Sequence, residues 1–200
     1  MRGKFYSPHW LLQRGRLSES DDSPSTKGTG QMGKKVPLVE VWTDTIFLQR
    51  AQRLLSPTER EEAVVFTGIC VPKPNGRVIV PTSMFMPKYR VHSVGGVEAV
   101  PESMAAIDKA VASAGLEKLK RGHSHPCTGV RGCDPSKTDI EDQKYWESVG
   151  YQMPSMIFTR CLNGTFFVRV FTCDKLRLRV RIHGRHWRVE ENVFEIPQEL

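Results

Sequence analysis

The chain has 200 residues, 39% hydrophobic and 26% charged, enough for one domain with a substantial core plus tails. No apolar run approaches the roughly 18 residues that a membrane-spanning helix needs, and five cysteines, an odd number without repeating spacing, argue against a disulfide framework and for a reducing cytoplasm. The net charge of +7 is local: Lys175 to Arg188 holds six basic residues and no acidic one, and without that stretch the net is +1.

Residues 1–35 divide into an aromatic-basic start (Phe5, Tyr6, Trp10, Arg14, Arg16) and a linker rich in Ser, Gly and Asp. The start has no apolar stretch of the kind a secretion signal carries, and the linker has too few apolar residues to offset its ordering entropy. We read 1–35 as a flexible leader, 36–175 as the main folded domain, and 176–200 as a basic strand or hairpin and tail packed on it.

Val36 to Val41 alternates as a short strand, and Thr43 or Asp44 can cap a helix with Ile46, Phe47, Ala51, Leu54 and Leu55 as its apolar positions. Four charged residues, Glu59 to Glu62, lead into the β-prone run Ala63–Gly68. Lys73-Pro-Asn-Gly76 is a turn between strands. Met84, Phe85 and Met86 follow in a mixed apolar and basic segment. Pro101 starts a helix with Met104, Ile107, Val111 and Ala114 on one face, stopped by Gly115.

Leu116 to Arg121 then runs as a strand into Gly122-His-Ser-His-Pro126. Histidines at i and i+2 of a strand present both imidazoles on one face, a ready pair of metal ligands. After a loop containing Cys127 and Cys133, Pro135-Ser136 opens a helix with Asp139 in its first turn. A short carboxylate there can supply a third ligand and leave the fourth tetrahedral position to water, as catalytic zinc sites do. Ser136 and Asp139 also resemble a capping box, which needs no metal. In this helix Ile140, Tyr145 and Trp146 are the expected anchors. Asn163-Gly164 joins two further strands, and Leu176 to Ile182 alternates strictly between aliphatic residues and basic ones.

His-Ser-His-Pro, a loop, then Ser-x-x-Asp, with a glutamate on an upstream strand, resembles the JAMM (MPN-type) zinc peptidases. Members of that family usually have seven residues between the second His and the Ser; this chain has ten. Counting back from Gly68, as the family's strand suggests, gives Glu61. The resemblance implies an α+β fold, an MPN (cytidine-deaminase-like) sandwich with a mixed central sheet flanked by helices. It also implies one Zn2+ per chain on His123, His125 and Asp139, with Glu61 as general base towards the zinc-activated water and Ser136 as a donor to the oxyanion. Met84, Phe85 and Met86 would lie beside the groove for an extended substrate tail. Cys127 and Cys133 read as extra ligands, as a redox pair, or as plain loop residues.

The activity so implied is cleavage after the C-terminus of a ubiquitin-like protein, releasing a modifier or trimming a precursor, with activating and conjugating enzymes of the same pathway as further partners. The alternatives are a catalytically silent MPN scaffold and a JAMM peptidase with an unrelated protein substrate. The arginine strand reads as a charge-protected edge or as a contact for an acidic partner. Nucleic acid is disfavoured there, because Trp187 is the only aromatic residue close to the arginines in the sequence.

Overall fold

The computed structural model describes residues 36–55, 60–93 and 96–198; the leader read at residues 1–35 lies outside them. The alternating start forms β1 (Leu38–Asp44), somewhat later than expected. Asp44 then caps α1 (Thr45–Leu55), its Oδ1 accepting from Phe47 N at 2.7 Å. The helix buries Phe47, Leu48, Ala51 and Leu55, whereas Ile46 and Leu54, expected on that face, are exposed. Strands β2 (Ala63–Lys73) and β3 (Gly76–Phe85) form the hairpin signalled by Pro74-Asn75-Gly76.

The short hairpin of β4 (Tyr89–Ser93) and β5 (Gly96–Ala99) leads to α2 (Pro101–Ser113), closed at Gly115 with φ of 65°. Strand β6 (Glu117–Ser124) carries the first histidine, and α3 (Lys137–Ser148) follows the loop. Strands β7 (Ser155–Phe158) and β8 (Thr165–Phe171) flank Asn163 and Gly164, both at positive φ, as a two-residue hairpin turn demands. The chain ends in β9 (Arg177–His183), β10 (Trp187–Glu190) and β11 (Val193–Pro197).

Nine strands form one mixed sheet in the order β10-β11-β8-β7-β6-β2-β3-β1-β9. Three neighbouring pairs, β1–β3, β1–β9 and β6–β7, are parallel. The expected α+β class with a mixed sheet is what is observed. The C-terminal segment is divided between both edges: β9 extends the sheet beside β1, and β10 with β11 extends it beside β8. Only residues 184–186 join β9 to β10. Four Cα steps reach at most about 14 Å, whereas eight strand spacings of a flat sheet measure about 38 Å. The sheet is therefore strongly curled.

Helix α1 fills the inside of the curl, against a core that includes Val39, Val64, Phe66, Phe158 and Phe166. Side chains alternate across β2, so Val65 faces outward and packs with Ile107 and Val111 of α2. A third cluster of Cys133, Ile157 and Val193 covers the loop after β6. No helix among the described residues is long and apolar enough to cross a membrane.

Candidate metal centre

Strand β6 pairs antiparallel with β2, His123 opposite Ala63, and His123 therefore lies on the outer face that Val65 shares with α2. Gly122 makes this pairing fit. A Cβ there would stand 2.3 Å from the ring of Phe66, which fills the space on the inner side. His125 lies two residues on, just past the end of β6, and its ring centroid is 5.1 Å from that of His123.

The two Nε2 atoms are 3.2 Å apart. Asp139 closes the group with both oxygens, Oδ1 3.2 Å from His123 Nε2 and Oδ2 3.4 Å from His125 Nε2. Among the described residues these form the one cluster of three His, Cys, Asp or Glu side chains close enough to share a metal ion. A tetrahedral ion bonded at 2.0–2.1 Å spaces its ligand atoms by about 3.3–3.4 Å; the two imidazole nitrogens stand at nearly that spacing, and one ligand atom from each of the three side chains falls within 4.8 Å of the others.

The outer contacts fit as well. His125 Nδ1 lies 3.0 Å from the carbonyl oxygen of Gly132, which can only accept; the proton is therefore on Nδ1, and in the neutral ring Nε2 presents a bare lone pair to the site. Gly132 belongs to a 3-10 turn, Val130–Cys133, within the loop that is longer than the JAMM pattern. Because of that length, His123, His125 and Asp139 do not make the JAMM sequence motif; the added residues build a support for His125 instead.

Ser136 caps α3 in a reciprocal capping box. Its N and Oγ donate to Asp139 Oδ2 at 2.8 and 2.7 Å, and its Oγ accepts from Asp139 N at 3.2 Å. The cap and the ligand are thus one arrangement. The single hydroxyl proton of Ser136 is committed to Asp139, which makes Ser136 a positioning residue here and leaves the expected oxyanion contact without a proton to give.

Glu61 stands two residues before β2, not within it. Glu62 N donates to Ser124 Oγ at 3.1 Å and Ser124 N to Glu62 O at 2.9 Å, which extends the register and sets Glu61 beside His125. From the other side Glu61 N donates to Ser93 O at 3.1 Å, and the Tyr89 hydroxyl bonds both Ala63 N and Ala63 O. Burial raises the pKa of Glu61 and the nearby Asp139 charge adds to this, against the opposing pull of His123 and His125. Burial would also raise Asp139, but hydrogen bonds and charge from both histidines, with Ser136, hold it well below the usual carboxylate range. For His125 burial works downward and is outweighed by Asp139, Glu61 and the Gly132 carbonyl, so its pKa is raised.

The remaining expected residues are dispersed. Met84 packs towards the inner core and Phe85 towards α2, and of the three only Met86 is exposed. All five cysteines are free. Cys133 is buried with its Sγ donating to Val130 O at 3.0 Å, Cys127 is exposed, and neither belongs to the ligand cluster. Sequence reasoning passed over Gly132, Ser93, Tyr89 and Ser124. Only Ser124, fixed between two histidines on the opposite face of the strand, left a trace to follow.

No family model matches the sequence, and no curated protein matches it. The solution structure of protein DSY2949 from Desulfitobacterium hafniense superposes with a TM-score of 0.45 at 13% identity, over 72% of this chain and 95% of that one. A likeness of that degree carries no argument about the site.

Proposed function

We propose that the chain is a zinc-dependent hydrolase whose metal is held by His123, His125 and Asp139. The observation that supports this most directly is the cluster of ligand atoms, the two imidazole Nε2 atoms 3.2 Å apart and each within 3.2–3.4 Å of an Asp139 oxygen, with the second nitrogen of His125 already fixed by a carbonyl. A bound zinc ion supplies Lewis-acid polarisation of a carbonyl and acidifies a coordinated water. Glu61, half-buried beside His125 with a raised pKa, accepts a proton at its carboxylate and returns it to the leaving group. Ser136 orients Asp139, and Gly132 orients His125.

Although the loop departs from the JAMM pattern, the order of Glu61, His-Ser-His-Pro and Ser-x-x-Asp still resembles those peptidases, and on that resemblance we propose an MPN-type sandwich cleaving a peptide or isopeptide bond after a ubiquitin-like C-terminus, with conjugation-pathway enzymes as partners. Met86 is the one of the three expected tail contacts that is exposed to meet a substrate. Five free cysteines suit a reducing cytoplasm.

The test is zinc stoichiometry on wild type and His123→Ala, with cleavage of a ubiquitin-like C-terminal fusion by wild type and Glu61→Gln. One zinc in wild type, none in His123→Ala, and a folded, zinc-loaded but inactive Glu61→Gln are the expected results. Absence of zinc from wild type would replace the hydrolase with a binding scaffold. Zinc without cleavage of the fusion would overturn the ubiquitin-like substrate.

A further inference from the structure

Strand β9 is one edge of the sheet, and its alternation is resolved into two faces: Leu178, Val180 and Ile182 pack against the inner core, while Arg177, Arg179 and Arg181 are exposed outside. In the structure these arginines are not isolated from aromatic rings. β1 is paired in register with β9 and brings Trp42 opposite Arg181, whose guanidinium sits 5.3 Å from the indole centroid. At the turn joining the two sheet edges, Arg185 lies over Trp187 at 5.1 Å. Trp42 is 44% exposed and Trp187 is 43% exposed. At the opposite end of the row, Arg177 lines an open groove of about 370 Å³ with Leu38, Glu40 and Lys73.

We propose that this surface binds single-stranded nucleic acid. Alternate residues of a strand repeat at about 6.7 Å, a spacing suited to successive phosphates of an extended chain. Glu40 Oε2 stands 3.8 Å from Arg179 and 3.5 Å from Arg181. One carboxylate thus steadies two guanidiniums and leaves the row positive. Each indole carries a guanidinium over one face, whose N–H edge can still meet phosphate, and the exposed remainder of the ring is left to stack an unpaired base. An acidic peptide would use the charges alone and leave both indoles idle. The proposal is independent of the metal centre.

The test is fluorescence anisotropy with labelled 15-nucleotide oligo(dT) and oligo(U), the matching duplex, and an oligo-glutamate peptide. Wild type is expected to bind at least one single strand more tightly than the duplex or the peptide, with a log–log salt slope of about −3 for four or five neutralised phosphates. Arg179→Gln/Arg181→Gln should weaken binding at least tenfold, and Trp42→Leu roughly tenfold for one lost stacked base. Lys109→Glu on α2 should leave it unchanged, and thermal melting of each variant reports folding. Binding to neither single strand, equal or tighter binding of the duplex or the glutamate peptide, or a folded Trp42→Leu of wild-type affinity would each overturn the proposal.

Discussion

His125 and Gly132 are joined by a single hydrogen bond, Nδ1 to carbonyl oxygen at 3.0 Å, which ties a metal ligand to the loop that follows it. That loop is further fixed by Arg160 N donating to Cys127 O and by the ion pair of Asp134 with Arg169 at 2.5 Å. A Cβ on Gly132 would stand 3.1 Å from Cys127 Cβ and 3.2 Å from Thr159 Cγ2, so Gly132→Ala presses on its neighbours by a few tenths of an ångström at the turn that presents the carbonyl. Loss of such an outer contact costs metal sites about 10–100-fold in affinity. Competition with a zinc chelator should show a drop in that range, and an unchanged affinity would remove the turn from the site.

Ser136→Ala separates two roles that share one side chain. It removes the acceptor of the helix cap, about 1 kcal/mol of stability, and one of the two Ser136 donors that orient Asp139. Melting temperature and zinc affinity should therefore fall together. Ser136→Thr retains the hydroxyl and should restore both.

Much of this centre was legible in the sequence. Spacing of two at the end of β6 brings the rings of His123 and His125 together, and the cap signal at Ser136 locates Asp139 at the third position of α3. Glu61 is found by counting back from Gly68 on the pattern of the family it resembles, but the hairpin that holds it is not, because the bonds of Ser93 and Tyr89 to the Glu61–Ala63 backbone are tertiary. The curl of the sheet was hidden for the same reason: local alternation describes β9 well but says nothing of its placement at the sheet edge opposite β10. Trp42 lies 139 positions from Arg181, and only the parallel pairing of β1 with β9 brings them together.

The pH dependence of the metal-free protein follows from His125. Its folded pKa is raised, so its contribution to stability is complete below the unfolded value of about 6.5 and is lost as pH rises through the folded value. Asp139 acts in the opposite sense, contributing above the unfolded value of about 4 and losing that contribution as pH falls. Metal binding requires the neutral imidazole. The melting temperature of the chelated protein should fall between pH 6 and 8, while the gain on adding zinc should grow over the same range. His125→Gln should abolish both trends.

Gly122→Ala tests the packing beneath the ligands. The new methyl would meet the Phe66 ring at 2.3 Å, and that ring is itself fixed against Phe47 and Phe158 with centroids at 5.4 and 6.2 Å. Overpacking of this kind costs about 1–3 kcal/mol. Urea unfolding should show that loss, and zinc affinity should fall with it because His123 is the next residue.

Helix α3 lacks the apolar stripe expected of it: Ile140 and Tyr145 are exposed, while Gln143 and Glu147 are buried. Its inner face is held by a polar network. Lys120 Nζ donates to Gln143 Oε1 at 2.6 Å and pairs with Asp142 at 3.1 Å; Ser155 Oγ also donates to Gln143 Oε1, and Glu147 accepts from the backbone N of Cys173 and Lys175. Burial lowers the pKa of Lys120 against the opposing pull of Asp142. Gln143 lies one turn beyond Asp139, so the network sets where the carboxylate meets the histidines. Removing one partner leaves the other desolvated, at about 3–5 kcal/mol for a buried pair and less here because Asp142 is partly exposed. Lys120→Ala should therefore lower both stability and zinc affinity. Lys120→Met with Gln143→Leu replaces the direct pair by apolar groups of similar size, and should recover more stability than zinc affinity if the network's main role is to place Asp139.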